Sequence, residues 1–183
     1  MRFAHRKKPA ALNPGRRTAS PRPADRWAAA VPAVRPREEE PDRLEEIISL
    51  ARAAGCRRVG LAYCAELSAA ARLLGKVLQQ HFTVKMVPCQ PRAERQLSPP
   101  GADTRSHCPL LCDPLAQSAA LNRCGADLII TVGLCTRQDI LLKKCAHAPV
   151  STLAVRDRAL DNRPLEGLYT GYYFNLFGLQ PGG

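Results

Sequence analysis

Apolar residues follow two alternating patterns from about residue 42 to the end of the chain. Short, near-continuous apolar runs predict strands that are covered on both faces, and an apolar residue every three or four positions predicts a helix. Strands that alternate with helices are typical of a parallel sheet. The predicted strands span residues 58–63, 82–87, 126–132 and 150–155.

Capping residues mark several helix boundaries. Asp42 suits a helix N-cap, with Glu45 three residues later, and Gly55 suits the end of that helix. Asp113 and Gly125 mark the start and end of another helix in the same way. The predicted helices span residues 43–54, 66–80, 114–124 and 138–145, and residues 163–178 are predicted as a closing helix or packed tail.

The alternation predicts an α/β fold, a Rossmann-like or flavodoxin-like three-layer sandwich with a parallel four-stranded sheet and helices on both faces. Right-handed crossovers favour the strand order 2-1-3-4. Residues 42–183 are predicted to form this single domain, and residues 89–111 a long functional loop. Residues 1–41 are rich in Arg, Pro and Ala, which predicts a disordered basic tail.

Positive charge is concentrated in that tail. The formal net charge of the 183-residue chain is +11, and residues 1–40 hold ten Lys or Arg against four Asp or Glu. Such a tail either contacts nucleic-acid phosphates or is a solvated extension. Because the folded part shows no basic stripe and no aromatic platform, no nucleic-acid partner is predicted.

Cysteine use and the lack of long apolar runs bear on location. No apolar run reaches the roughly eighteen residues of a membrane span, and no signal-peptide pattern follows Met1. We therefore expect a cytoplasmic protein with no membrane partner. The eight cysteines would stay mostly reduced there, which favours metal or redox chemistry over structural disulfides.

Three of the predicted strands end at a cysteine. Cys64, Cys89 and Cys135 follow the first three strands, and Cys112 begins the helix that leads back to the third strand. Ligands of such sheets bind at the carboxyl ends of the strands, so these four thiols are predicted to share one site. Cys108, in the preceding loop, is a possible extra ligand.

The remaining cysteines have another predicted place. Cys56, Cys124 and Cys145 each precede a strand, which puts them at the opposite edge of the sheet. A buried cysteine can also be no more than a small apolar side chain, so packing coincidence is the alternative interpretation of all eight.

The chemistry of the four edge thiols favours soft metals. Thiolates bind zinc or an iron–sulfur cluster in preference to hard cations. Cys64 and Cys112 precede helices, whose positive N-terminal ends favour the thiolate form. Asp113 and Asp139 lie beside site thiols and are candidates to orient a ligand or hold a proton. No P-loop or dinucleotide fingerprint follows the first strand, so the sequence names no reaction.

Three segments, VGLAYCAEL, CDPLAQSAALNRCGADLIITVGLC and APVSTLAVRDRAL, resemble the domain-of-unknown-function 1847 family of small prokaryotic proteins. The resemblance extends over residues 58–169. Members of this family are commonly described as metal-binding candidates, so the resemblance implies metal binding. It also implies site cysteines at Cys64, Cys112 and Cys135, with Cys89 as a further thiol after the second strand.

The chain departs from the family pattern in two places. Family members carry a cysteine-rich N-terminal segment, whereas no cysteine precedes Cys56 here. They also carry Gly-His-Asp after the last site cysteine. In this chain Gln138 replaces that histidine and Asp139 is kept. The departure removes a histidine ligand or proton donor and leaves Gln138 as a candidate for a supporting contact.

Two other functions fit the same thiols. Cys64 and Cys135 end adjacent predicted strands and would form the couple of a cysteine-dependent redox or transferase enzyme, if their Cα atoms lie within about 7 Å. Alternatively, the cysteines only line the pocket of a small-molecule or nucleotide-binding module. Metal content, thiol titration and ligand-induced thermal stabilisation distinguish the three.

Overall fold

Parallel strands form the centre of the protein. The computed structural model describes residues 23–30, 41–90 and 112–179. The fold is α/β with a Rossmann- or flavodoxin-like arrangement, and the predicted strand order 2-1-3-4 is confirmed. The strands are β1 (Arg58–Tyr63), β2 (Thr83–Pro88), β3 (Leu128–Leu134) and β4 (Val150–Val155), and all three neighbouring pairs are parallel.

Helices cover both faces of the sheet. Side chains of two helices, α2 and α3, pack with one face, and side chains of α4 and α5 pack with the other. No helix within the described ranges is long and apolar enough to cross a membrane. The helices are α1 (Pro23–Ala30), α2 (Arg43–Ala53), α3 (Ser68–Gln79), α4 (Pro114–Arg123), α5 (Thr136–Cys145), α6 (Glu166–Tyr169) and α7 (Tyr172–Phe177).

The two central strands are buried on both faces, as their near-continuous apolar runs predict. Leu61 and Ile130 belong to the cluster of α2 and α3, whereas Ala62 and Ile129 belong to the cluster of α4 and α5. All four are 0% exposed. Burial of a large aliphatic side chain contributes about 1.5–3 kcal/mol. This two-sided core therefore holds the carboxyl ends of β1 and β3 firmly in place.

Both predicted aspartate N-caps are present. Asp42 accepts a hydrogen bond from the Glu45 N–H at 2.9 Å. Asp113 accepts hydrogen bonds from the Leu115 and Ala116 N–H groups at 2.9 and 3.0 Å. Each carboxylate faces the positive end of a helix dipole, which adds to the stabilisation. The caps explain why α2 and α4 begin where the sequence predicts.

The predicted tail contains a helix. Pro23–Ala30 form α1, whose Trp27 and Ala30 pack against the core of the α2 face. The prediction that residues 1–41 are disordered is therefore wrong for these eight residues. Their short apolar stripe is not recognised in the sequence, because the surrounding residues are rich in Pro and Arg. The rest of the predicted tail lies outside the described residues, apart from Pro41.

Other elements differ from the prediction in their boundaries. Strand β3 lies two residues later than predicted, and α5 begins two residues earlier, at Thr136. The closing segment forms two short helices, because Gly171 adopts a positive φ of 72° between α6 and α7. Residues 91–111, most of the predicted functional loop, lie outside the described residues.

A carboxylate ties together the amino-terminal edge of the sheet. Asp127 accepts hydrogen bonds from the Arg57 and Arg58 N–H groups, each at 3.0 Å, and its Oδ1 lies 3.5 Å from the Arg26 guanidinium. Burial opposes ionisation, but the two N–H groups and the nearby arginines outweigh it and lower the pKa of Asp127. The carboxylate should therefore stabilise the fold at neutral pH.

Replacing Asp127 with Ala is expected to lower the free energy of unfolding at pH 7 by about 1–3 kcal/mol, because two backbone donors lose their acceptor. The folded-state pKa lies below the unfolded one, so this contribution is present above the ordinary aspartate pKa of about 3.9 and is lost as the pH falls through the folded-state value. Urea unfolding of both proteins across this range checks the prediction. An equal difference at neutral and strongly acidic pH would argue against it.

Candidate thiol site

The ends of β1 and β2 place two thiols side by side. Cys64 and Cys89 directly follow Tyr63 and Pro88, which are partners in the parallel ladder. The Cys89 N–H donates to the Tyr63 carbonyl at 2.7 Å, so the pairing continues to the cysteines. Side chains alternate along a strand. Both cysteines therefore share a face with Ala62, two residues before Cys64, and this is the face that α4 and α5 cover.

Cys89 is the centre of a cluster of three thiols, here called the thiol cluster: Cys64, Cys89 and Cys112. The Cys89 side chain lies beside the side chains of Cys64 and Cys112, close enough that both thiols shift its pKa. Its sulfur also accepts a hydrogen bond from the Ala65 N–H at 3.2 Å. Three different segments of the chain therefore meet at one sulfur atom.

These contacts shift the pKa values of Cys64 and Cys89 in opposite directions. The neighbouring Cys64 thiol, helped by the Ala65 N–H, lowers the pKa of the Cys89 thiol against the opposing effects of burial and of Cys112. The same interaction with Cys89, together with burial, raises the pKa of Cys64. Cys89 is thus the thiol of this pair that ionises first, and the thiolate is the form that ligates metals and attacks electrophiles.

Cys112 joins the cluster from the start of α4. The N–H of the next residue, Asp113, donates to the Gln90 carbonyl at 2.8 Å, so this segment is tied to the chain that leaves Cys89. Cys112 is partly buried and lines a small cleft of about 40 Å³, together with Asp113 and Arg137. The cleft is therefore a place where a small molecule can reach Cys112.

Cys135 lies at the same edge but makes no side-chain hydrogen bond with another described residue. It is the N-cap residue of α5 and follows an irregular end of β3, where the register with β4 shifts. Gly133, with a φ of 63°, makes this turn and packs against Leu67 and Cys64. The redox couple of Cys64 and Cys135 stays a prediction, and Cys89 is a thiol that interacts with Cys64.

The thiols are not arranged around a metal ion. Among residues 23–30, 41–90 and 112–179, no group of three or more His, Cys, Asp or Glu side chains is placed to hold one. No disulfide joins the cysteines of these ranges. Cys108, the predicted extra ligand, lies outside them. The described structure thus shows thiols in contact with one another and no metal centre.

The predicted supporting residues have different partners. Asp113 caps α4 and so orients the segment that carries Cys112. Asp139 lies 2.6 Å from the Lys143 ammonium and accepts a hydrogen bond from the Thr152 hydroxyl at 3.4 Å. Gln138 is 3% exposed, and its Nε2 has no hydrogen-bond partner within the described ranges. Of the three, Asp113 has a described contact that positions a site thiol.

A buried glutamine that the sequence analysis did not single out joins the two strand ends. Gln117 is 0% exposed, and its Nε2 donates to the Val87 carbonyl at 2.8 Å and to the Tyr63 carbonyl at 3.4 Å. Tyr63 immediately precedes Cys64, so this amide fixes the strand ends that carry the paired thiols. The sequence does indicate that Gln117 is buried, because it lies four residues before the buried Leu121 and residues i and i+4 share a helix face.

Replacing Gln117 with Met is expected to lower the free energy of unfolding by about 1–3 kcal/mol, since two buried carbonyls lose a donor. Alkylation of the thiol cluster should also become faster as the strand ends loosen. Urea unfolding and mass-spectrometric alkylation rates measure the two effects. The matched control is Gln79→Met, on the exposed end of α3. Equal behaviour of the two variants would contradict the assigned role.

An ion-pair network lies beside Cys64. Glu66, in the 3-10 turn that follows Cys64, pairs with Arg156 and with Arg158, the latter at 2.8 Å. The hydrogen bond from Arg158, with the charges of both arginines, lowers the pKa of Glu66. The network links the segment after β4 to the turn after β1 and so closes one side of the carboxyl edge. The partners are about ninety residues apart in the sequence, so local sequence patterns do not predict the network.

The other cysteines lie at the opposite edge, as predicted. Cys56 precedes β1, and Cys124 and Cys145 lie at the ends of α4 and α5. Burial raises the pKa of the Cys56 thiol. The Cys124 thiol donates to the carbonyl of Leu121 at 3.0 Å, within its own helix. These side chains are therefore suitable controls for substitutions in the thiol cluster.

Comparison with known proteins matches the part of the chain that holds all four edge cysteines. The model of the family described as "Protein of unknown function (DUF1847)" matches residues 28–153. The "Uncharacterized protein MJ0455" of Methanocaldococcus jannaschii is 36% identical over 132 residues, which cover 72% of this chain and 68% of that protein. No solved structure gives a significant match.

Proposed function

This chain belongs to the DUF1847 family of proteins of unknown function, and we propose that its function is to bind a soft metal, either zinc or iron in an iron–sulfur cluster. The ligands in this proposal are Cys64, Cys89 and Cys112, with Cys135 as the fourth. Neither match names an activity, so the proposal rests on the chemistry of the carboxyl edge.

The observation that supports it best is the position of Cys89, whose side chain lies beside two other thiols and interacts with both. Thiolates are the ligands that zinc and iron–sulfur clusters prefer. The lowered pKa of Cys89 favours its thiolate, the form that binds a metal. Metal binding would then replace the shared protons of the cluster.

Binding requires the three sulfurs to close around a common centre, because the described side chains do not yet surround one. Cys64 and Cys89 are fixed by the strand ladder, so Cys112 is the ligand that has to move. It lies at the start of α4, outside the ladder of β1 and β2. Cys135 shares the same edge and would approach from the end of β3.

Metal analysis of protein purified without oxygen and without added metal tests the proposal. We expect about one zinc, or one cluster with acid-labile sulfide and visible absorption, per chain. The double variant Cys64→Ala/Cys89→Ala should lose it, and the control Cys124→Ala/Cys145→Ala, at the opposite edge, should keep it. Equal metal content in the two double variants would overturn the proposal.

A further inference from the structure

We propose that Cys112, Cys89 and Cys64 also form a relay for thiol–disulfide exchange with small disulfides that carry carboxylates. The relay is an activity separate from metal binding, because it requires the metal-free thiols. It rests on the different exposure of the three thiols, on their contacts and on the register of β1 with β2.

Cys112 is the thiol of the three that an outside molecule can reach. Cys64 and Cys89 are 5% and 6% exposed, whereas Cys112 is only partly buried and lines the cleft between α4 and α5. A cleft of about 40 Å³ has room at Cys112 for the end of a small molecule. An external disulfide therefore meets Cys112 first.

The charge of the cleft selects the kind of disulfide. Arg137 is exposed and lines the cleft with Cys112. Asp113 also lines it, but its carboxylate accepts hydrogen bonds from the Leu115 and Ala116 N–H groups at the start of α4. The Asp113 carboxylate keeps its negative charge, which the partial positive charge of about +0.5 at the α4 N-terminus offsets in part. With Arg137 the cleft has a small positive balance, and such a balance attracts anions and raises association rates. Small disulfides with carboxylates fit this cleft better than cationic ones.

The geometry of the inner pair suits a disulfide. Cys64 and Cys89 lie one position beyond the ladder partners Tyr63 and Pro88, and the ladder continues to the Cys89 N–H. Neighbouring strands are about 4.8 Å apart, which is inside the range of about 4.4–6.8 Å for Cα atoms joined by a disulfide. Their side chains lie next to each other at the ends of these strands. Little backbone movement is needed to join them.

The exchange proceeds in three displacements. The Cys112 thiolate attacks the external disulfide RSSR, which forms a mixed disulfide and releases RS⁻. The Cys89 thiolate then attacks the Cys112 sulfur and releases the second RS⁻. Finally the Cys64 thiolate attacks the Cys89 sulfur and releases Cys112 as a thiolate, which takes up a proton. In total, one RSSR is reduced to two RSH, and the two inner thiols are oxidised to one disulfide.

The test uses reduced, chelator-treated full-length protein with dithiodiglycolate, which carries carboxylates, and with cystamine, which carries ammonium groups. We expect dithiodiglycolate to oxidise the protein at least about 10-fold faster at low ionic strength, and Arg137→Gln to remove this preference. Cys112→Ser should abolish the fast oxidation of the protein by dithiodiglycolate, and Cys124→Ser should leave its rate unchanged. Equal rates in the two serine variants would overturn the relay.

Peptide mapping identifies the product. Cys108 and Cys112 fall in one tryptic peptide, so mapping is done in a Cys108→Ser background. We expect a disulfide between Cys64 and Cys89 at the end point. The Cys64→Ser variant should stop at a disulfide between Cys89 and Cys112. An end product that joins any other pair would overturn the proposal.

The failures of the two proposals are distinguishable. Protein that binds no metal but forms the inner disulfide at the expected rate supports the relay and removes the metal function. Protein that binds metal through the cluster, but whose metal-free form gives no inner disulfide, removes the relay alone.

Discussion

Replacing Cys89 with Ser is expected to weaken zinc binding by at least about 100-fold, because loss of even a supporting contact to a metal ligand costs 10–100-fold. Cys89 contacts both other thiols of the cluster, so its removal separates Cys64 from Cys112. The serine hydroxyl can still accept from the Ala65 N–H. The fold should therefore survive while the site is lost. Competition with a chromophoric zinc chelator measures the affinity.

The control for this experiment is Cys124→Ser, at the opposite edge of the sheet. Its thiol donates to the carbonyl of Leu121 in the same helix, a bond that a hydroxyl can keep. This variant should bind zinc as the unaltered protein does. If Cys89→Ser and Cys124→Ser had the same affinity, the thiol cluster would not be the zinc site.

Gly133→Ala is expected to lower the free energy of unfolding by about 2–5 kcal/mol. Gly133 has a φ of 63°, a region that costs a residue with a Cβ about 1–2 kcal/mol. A Cβ there would also lie 2.1 Å from Leu67 Cδ1 and 3.8 Å from Cys64 Cβ. Such overpacking typically costs a further 1–3 kcal/mol. Urea unfolding measures the total.

Two further variants separate strain from overpacking. Gly55 has a φ of 72°, and a Cβ added there would meet nothing within 4 Å, so Gly55→Ala should show the strain alone. The double variant Gly133→Ala/Leu67→Ala removes the clash and should cost less than the sum of its single variants. Equal losses for Gly55→Ala and Gly133→Ala would show that the close approach to Leu67 is not important.

The sheet was accessible from sequence because its signals are local. The apolar runs of β1 and β3 are buried on both faces, and the caps at Asp42 and Asp113 mark helix starts through contacts within three residues. Right-handed crossovers then leave few possible strand orders. The placement of Cys64, Cys89, Cys112 and Cys135 at one edge follows from that topology and needs no knowledge of side chains.

The contacts within the site were not accessible in this way. The interaction of Cys64 with Cys89 depends on where the side chains lie at the strand ends, and the irregular register of β3 near Gly133 is likewise not visible in the sequence. The prediction for Asp139 overlooked Lys143, a partner four residues away that helix spacing indicates. The roles of Gln117 and of the arginines that pair with Glu66 depend on residues that are distant in sequence.

X-ray absorption at the bound metal of the full-length protein tests the central claim most directly, because it counts the sulfur atoms in the first coordination shell. The protein is purified without oxygen or, if it contains no metal, loaded with one equivalent of zinc. We predict at least three sulfur ligands at about 2.3 Å. A shell of nitrogen and oxygen without sulfur would contradict the assignment of Cys64, Cys89 and Cys112 as a metal-binding cluster.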